Sequence, residues 1–373
     1  MSCSTPSSPP TRRSGWRASG DLDGPGAAGE AAAAAAAVPG VPAPPDMPVT
    51  PAGAAKATAQ AMAAPTRPEV PPDAPPPPAG DSAAAWREWA AAALARAGVP
   101  SPRREAALLL GHATGRGTAW AWAAGAGDAL SEEARRRLAD FVRRRAARLP
   151  FAYVVGTVEF ADVRLRVAPG VLVPRPETET LLEAALSLAP DGVPLRLADL
   201  GSGSGALAVA LARRRPRAEI WAVDASPRAL ACAAANALEH GARDRVRCLL
   251  GDWWTAFSGH ARAALPLDGA VCNPPYLTPE EWRGADPEVR AEPVEALVGG
   301  PTGLEAFDDV LAGVPGRLRP GGFLAFEVGA GQAGAVAARM RARGFTAVRA
   351  ARDLAGHERV VMGVWEGAGA CGG

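Results

Sequence analysis

Apolar residues recur at helical spacing from Ala83 onward. In WREWAAAALARAG (86–98), Trp86, Trp89, Ala93 and Leu94 fall on one helical face. REAALLLGHATG (104–115) and SEEARRRLADFVRRRAARLP (131–150) carry the pattern on. The latter has Ser131 as N-cap, Glu132 and Glu133 early and arginines late, in accord with the helix dipole. These segments predict a small helical domain over 83–149. At Pro150 the period changes. YVVGTVEF and VRLRV read as β-like, so 150–190 is expected to hold a linking hairpin followed by a helix, PETETLLEAALSLA (176–189), with proline in its first turn. Over 191–366 strands and helices alternate. Strands are expected at 195–200, 218–224, 245–250, 268–273, 322–328, 346–351 and 359–365, with helices at 204–214, 226–240 and 331–343. Such alternation predicts an α/β fold with a doubly wound sheet, whose ligands sit at the carboxyl ends of the strands.

Residues 1–82 are mainly Ala, Pro, Gly and Ser with few large apolar groups and end in PPDAPPPPAG. They are expected to be disordered, because they cannot bury enough surface to offset ordering entropy. The last stretch, 367–373, is expected to be flexible. Arg12, Arg13 and Arg17 are compatible with a targeting peptide, but no apolar run follows and Asp21 and Asp23 interrupt. Charge is balanced, 40 basic against 39 acidic residues, so bulk electrostatics do not hold this chain to nucleic acid. Lys56 is its only lysine, and the arginine, alanine, glycine and proline excess reads as coding bias without functional content. The five cysteines form no C-x-x-C pair and the four histidines are dispersed, which argues against a zinc site or disulfide framework and fits a reduced, cytoplasmic setting. No apolar run approaches the ~20 residues of a membrane span.

Chemistry concentrates at three strand ends. LADLGSGSGALAVALA (197–212) is a strand, a glycine-rich turn and a helix, with Gly201, Ser202, Gly203, Ser204 and Gly205 in the turn. Asp224, 19 positions beyond Gly205, closes the second strand where an acid accepts hydrogen bonds from both hydroxyls of an adenosine ribose. The glycine spacing is G-x-G-x-G, and a nicotinamide dinucleotide competes as the ligand. GDWW (251–254) puts Asp252 and Trp253 at the third strand's end, suited to an adenine or simply to covering the sheet edge. DGAVCNPPYLTPEEW (268–282) then stops the fourth strand with Asn273, Pro274, Pro275 and Tyr276. Neither proline donates a backbone hydrogen bond, so a stiff edge begins there. If the glycine turn holds S-adenosylmethionine, this edge suits a planar NH2 acceptor. The Asn273 side-chain oxygen and the Pro274 carbonyl can each accept one N–H, and Tyr276 can stack on the acceptor. A methylated nitrogen is cationic and acidic, so the scheme requires no strong base.

Together these motifs resemble amino-directed class I methyltransferases, which have a Rossmann-like sheet. FAYVVGTVEF, LVPRPETE (172–179), VRAEPVEALVGG (289–300) and HERVVMG (357–363) are similar to segments of the HemK or PrmC family, the peptide-chain release factor glutamine methyltransferases. The likeness runs from about Ala85 to Trp365, with Ser202 and Ser204 replacing commoner threonines. It implies methyl transfer from S-adenosylmethionine to N5 of the glutamine in the Gly-Gly-Gln tip of class 1 release factors. By the same resemblance Gly201 to Gly205, Asp224, Trp253 and Asn273 would hold the cofactor, and Asn273 to Tyr276 the glutamine. The helical domain would help dock the release factor, with no membrane and no direct nucleic-acid partner, and the PRPETE and RAEP segments would shape the pocket mouth. An adenine-N6 methyltransferase is the alternative, since its acceptor is also a planar NH2, but the short interstrand segments offer no strand-binding insert. A dehydrogenase leaves Asn-Pro-Pro-Tyr unexplained. A cofactor-sensing module without catalysis would require Asn273 to be dispensable for turnover.

Overall fold

The computed structural model describes residues Pro76–Gly367, so the expectations for 1–75 and 368–373 lie outside the described residues. Four helices come first: α1 (Ala83–Arg96), α2 (Pro102–Thr114), α3 (Gly117–Ala123) and α4 (Glu132–Ala146). Their shared core contains Trp86, Leu94, Leu109, Leu110, Leu138 and Val142. Ser131 caps α4 by accepting from the Ala134 amide, an interaction typically contributing about 1 kcal/mol. Two contacts reach back just ahead of α1. The Trp86 indole donates to the Gly80 carbonyl at 2.7 Å and the Leu130 amide to the Asp81 carbonyl at 2.8 Å. The sequence pattern did not expose α3, which is short and has Gly115 and Gly117 at its start.

The structure corrects one expectation in the linker. Residues Phe151–Val155 form a short helix, α5, and only Thr157–Phe160 (β1) pairs with Val163–Arg166 (β2) as an antiparallel hairpin. Pro150 opens α5 and Gly156, at φ 83°, closes it in the left-handed conformation that ends helices. The Arg144 guanidinium then takes up the Tyr153 and Val154 carbonyls at 2.6 and 3.0 Å, which a strand would have spent on a neighbour. Tyr153 is buried and donates its hydroxyl to the Val171 carbonyl at 2.6 Å.

Helix α6 (Thr178–Leu188) leads into a seven-stranded sheet. Its strands are β3 (Leu195–Leu200), β4 (Ala218–Asp224), β5 (Val246–Leu250), β6 (Leu267–Cys272), β7 (Leu318–Glu327), β8 (Phe345–Arg352) and β9 (Glu358–Trp365). The order across the sheet is β5-β4-β3-β6-β7-β9-β8, parallel through β7 and antiparallel at β9 and β8. Successive side chains along each strand enter opposite cores. Leu197, Ile220, Val271 and Phe323 join α7 (Ala206–Arg214) on one face, while Leu200, Val223, Leu324 and Phe326 join α11 (Glu305–Ala312) and α12 (Ala333–Ala342) on the other. The chain reverses direction across the sheet between β3 and β6. That switch point brings the glycine turn after β3 beside the Asn-Pro-Pro-Tyr edge after β6.

Candidate active site

The glycine turn is held by its neighbour strand. Both the Gly201 and Ser202 amides donate to the Val223 carbonyl at 2.9 Å. Asp224 grips the turn from the end of β4, its Oδ2 accepting from the Gly203 amide and its Oδ1 from the Ser226 amide, each at 2.8 Å. Burial raises its pKa, and these amides partly offset the rise. The carboxylate keeps further lone pairs for a ligand hydroxyl. The three glycines do different work. At Gly203 (φ 55°) a side chain would meet nothing within 4 Å, so its backbone faces open space. At Gly205 a Cβ would fall 2.9 Å from the Ala233 Cβ, so that glycine serves the packing of α7 on α8 (Pro227–Glu239). Ser204 is buried, and its carbonyl accepts from the Asn236 side-chain amide at 2.8 Å.

Trp253 begins a short 3₁₀ turn after β5 with φ 46°, a conformation strained for a bulky residue and concentrated at functional sites. Its ring lies 3.3 Å from where a Gly201 Cβ would be, and the Asn273 carbonyl oxygen lies 3.7 Å from that same point. Gly201, Trp253 and Asn273 therefore converge. Asp252 precedes the turn, and its charge helps raise the pKa of Asp309 on α11, after burial.

Asn273 Nδ2 donates to Thr178 Oγ1 at 3.3 Å, at the start of α6. Among the described residues neither the Asn273 side-chain oxygen nor the Pro274 carbonyl accepts a hydrogen bond. Two acceptors thus stand side by side at the end of β6. The loop is clamped from behind: the Leu277 amide donates to the Leu297 carbonyl (2.9 Å), the Gly299 amide to the Leu277 carbonyl (3.0 Å), and Gln332 Nε2 to the Tyr276 carbonyl (3.0 Å). A capping box between Thr278 and Glu281 ends it at α9 (Pro279–Gly284). The Tyr276 hydroxyl donates to Glu327 Oε1 at 3.5 Å, and burial first, then the Glu327 charge, push its pKa up to about 12.

The PRPETE and RAEP segments acquire a concrete relation. Glu292 is buried, accepts from the Val173 amide at 2.9 Å and pairs with Arg175. Close by, Arg145 on α4 is 4% exposed and bridges Glu105 on α2 to Glu288 on α10 (Pro287–Arg290), both at 2.6 Å. Arg148 takes the same Glu288 at 2.6 Å. The helical domain is therefore fastened to the segment following Asn-Pro-Pro-Tyr.

Sequence reading gave no individual role to Thr178, Glu327, Gln332, Gly299 or Arg145. An acid closing the apolar strand GFLAFEV was the available signal for Glu327. The others depend on contacts between residues far apart in the chain.

Two family models match the chain, the PrmC N-terminal domain over residues 85–156 and the methyltransferase small domain over 178–285. The chain is 41% identical to a release factor glutamine methyltransferase of Salmonella typhimurium over 70% of this chain and 92% of that protein. It is 43% identical to that of Bordetella pertussis over 70% of this chain and 94% of that one.

The chain belongs to the release factor glutamine methyltransferase family.

Members of this methyltransferase family use S-adenosylmethionine, and the residues around the glycine turn fit that cofactor. Asp199 Oδ1, Ser202 Oγ and Glu327 Oε2 are buried polar atoms without hydrogen-bond partners, gathered at the carboxyl ends of β3 and β7. Burial, assisted by the Asp224 charge, pushes Asp199 up to about 7. With the open Gly203 backbone and the Asp224 carboxylate, these groups supply polar partners for an amino acid and a ribose. No group of three or more metal-ligating side chains occurs among the described residues, nor any helix long and apolar enough to cross a membrane.

Proposed function

We propose that this release factor glutamine methyltransferase acts on the glutamine of the Gly-Gly-Gln tip of class 1 release factors, methylating its side-chain nitrogen. S-adenosylmethionine, when bound, supplies an electrophilic methyl on a sulfonium. The observation that carries the reading is the pair of unengaged acceptors, the Asn273 side-chain oxygen and the Pro274 carbonyl, next to the glycine turn. An amide NH2 is a poor nucleophile because its lone pair is delocalised into the carbonyl. Two acceptors that each take one N–H fix the nitrogen's orientation and favour a pyramidal, more nucleophilic form. Pro274 and Pro275 stiffen that edge.

The remaining assignments follow the same layout. Gly201, Ser202, Gly203, Ser204 and Gly205, with Asp224, Asp252 and Trp253, form the proposed cofactor side. Asn273, Pro274, Pro275 and Tyr276 form the proposed glutamine side, with the half-buried Tyr276 ring offering its face to the planar amide. Residues 83–149 are proposed to dock the release factor, 150–190 to link the two parts and 191–366 to carry catalysis. Neither a membrane nor direct contact with nucleic acid is required. The free thiols of Cys232, Cys248 and Cys272 suit the reducing cytoplasm.

The test is mass spectrometry of a class 1 release factor incubated with the protein and S-adenosylmethionine, with fragmentation across the Gly-Gly-Gln tip. One added methyl on the glutamine is expected. An unmodified tip, alongside N6-methylated adenine in a parallel nucleic-acid assay, would overturn the substrate.

A further inference from the structure

The Ser204 carbonyl lies in the glycine turn, just ahead of α7, and lacks the helical partner its position offers. The Ala208 amide, four residues on, donates instead to Asp199 Oδ2 at 3.0 Å. Among the described residues no backbone amide reaches Ser204, and its carbonyl accepts only from Asn236 Nδ2, at 2.8 Å. Asn236 is on α8 and is 0% exposed. It uses its whole amide: Nδ2 also donates to the Arg166 carbonyl at 3.0 Å, and Oδ1 accepts from the Arg166 amide at 2.8 Å. One side chain thus holds both the glycine turn after β3 and the last residue of β2.

We propose that Asn236 is a positioning residue for the cofactor, fixing the Ser204–Gly205 peptide and tying it to the linker hairpin, so that cofactor binding stiffens both; this rests on the proposed placement of the cofactor at the glycine turn. The requirement is specific to a primary amide. Two donors and one acceptor are needed in one plane, which asparagine supplies, whereas an ionised aspartate only accepts and leucine does neither. The turn is then pinned from two sides. Asp224 Oδ2 holds Gly203 by its amide and Asn236 holds Ser204 by its carbonyl, while the Gly203 backbone stays open.

Other polar contacts reach the hairpin from the same side, but they do not replace this one. Arg166 pairs with Glu239 at 2.6 Å and the His240 ring meets the Arg164 carbonyl at 2.7 Å, both exposed, where such contacts contribute little. Cys232 Sγ donates to the Arg166 carbonyl at 3.1 Å, so that carbonyl keeps a partner without Asn236, and the Ser204 carbonyl does not. The next amide, Val167, donates to the Gly156 carbonyl at 3.1 Å, so the fastened end of the hairpin is the one beside α5. Phe160, Val163 and Leu165 are buried in the same core as Leu207 and Ala237, which keeps the hairpin docked when the amide is removed. The loss then falls on the turn. With Ser204 released, the cofactor has to order that peptide itself, at the expense of its affinity.

Asn236→Leu, branched as asparagine is and unable to hydrogen-bond, gives the equilibrium test. Calorimetric titration of the full chain with S-adenosylmethionine should show a Kd weaker by about 5-fold or more, while kcat at saturating cofactor falls less than about 3-fold. A smaller change in Kd overturns the proposal. A loss of kcat as large as the loss of affinity also overturns it, since that marks a general loosening of the fold. Asp224→Ala separates the two readings. If it weakens the cofactor and Asn236→Leu does not, the role of Asn236 alone falls; if neither does, the cofactor's placement at the turn falls and the proposal with it.

A second test needs no variant to fold. In the wild type, hydrogen exchange of the Arg166 backbone amide, followed by NMR, should slow about 5-fold or more on saturation with S-adenosylmethionine, because the bound cofactor holds Ser204 and through it Asn236. The slowing is counted beyond any change at β8, the strand at the opposite edge of the sheet from β5 and β4. In Asn236→Leu it should vanish. An Arg166 amide that the cofactor leaves unmoved, or one that slows equally in Asn236→Leu, overturns the coupling of hairpin to turn.

Discussion

Gly299 lies so close to Pro275 that a Cβ built on it would sit 2.1 Å from the Pro275 carbonyl oxygen. No methyl group fits there, so Gly299→Ala must push back the loop that ends in Tyr276. Overpacking of this kind typically costs about 1–3 kcal/mol, and here the displacement falls on the acceptor edge. The expected outcome is a loss of kcat of about 10-fold or more with cofactor affinity unchanged, read by steady-state kinetics beside calorimetric titration.

Asn273→Ala removes one of the two acceptors and leaves the glycine turn intact. Deleting a single group of this kind from an electrostatically organised site costs about 10²–10³ in turnover. Cofactor Kd is expected to change far less. Comparable losses in both quantities would mean that Asn273 serves the cofactor and not the acceptor nitrogen.

Asp224→Ala should show the opposite signature. The Gly203 and Ser226 amides lose their common acceptor, so the turn loosens where its backbone is open. Cofactor Kd should weaken roughly 10-fold or more, with a smaller change in kcat at saturation, because a buried donor left without its partner costs about 1–3 kcal/mol. Equilibrium binding to the variant decides it.

Asp199 carries a stability prediction with a definite sign. Its folded pKa is raised to about 7, above the ordinary ~3.9 of an unfolded aspartate. Between those values the folded protein keeps a proton that the unfolded chain releases. The contribution of this group is therefore fully present below the unfolded pKa and is lost as pH rises through about 7. Asn at 199 cannot ionise. The melting temperature of Asp199→Asn relative to wild type should accordingly improve as pH rises from acidic to alkaline, measured by calorimetry.

Arg145→Met leaves Glu105 and Glu288 facing each other without their shared cation. Removing one partner of a buried ion pair typically destabilises by about 3–5 kcal/mol, far more than the pair itself adds. A lowered melting temperature is expected, and Arg148, which still holds Glu288, should limit the loss on the α10 side.

Periodicity and strand-end chemistry were enough to anticipate the sheet. β3 and β4 have the expected bounds and pair in parallel, as the doubly wound pattern requires. The Tyr153 segment was misread because its β-branched and aromatic residues favour strands, whereas the decision came from Gly156 and from an Arg144 guanidinium contributed by another helix. The same limit governs the site. The residues at the ends of β3, β4 and β6 announce themselves by type and spacing. Thr178 and Glu327 matter through partners 95 and 51 residues away along the chain, Asn273 and Tyr276 respectively, and no local pattern records such a meeting.

The edge after β6 offers two unengaged oxygens, those of the Asn273 side chain and the Pro274 carbonyl, while the Asn273 NH2 group is turned to Thr178. On the proposed reading it therefore counts hydrogens. An unmodified glutamine amide brings two, and both oxygens are satisfied; a singly methylated amide brings one, and one oxygen loses its partner. The enzyme thus holds its product less well than its substrate, and a second methyl would have to be added to a nitrogen the edge no longer grips on both sides. Stopping after one transfer and letting the finished release factor go are, on this layout, the same property of the same two atoms.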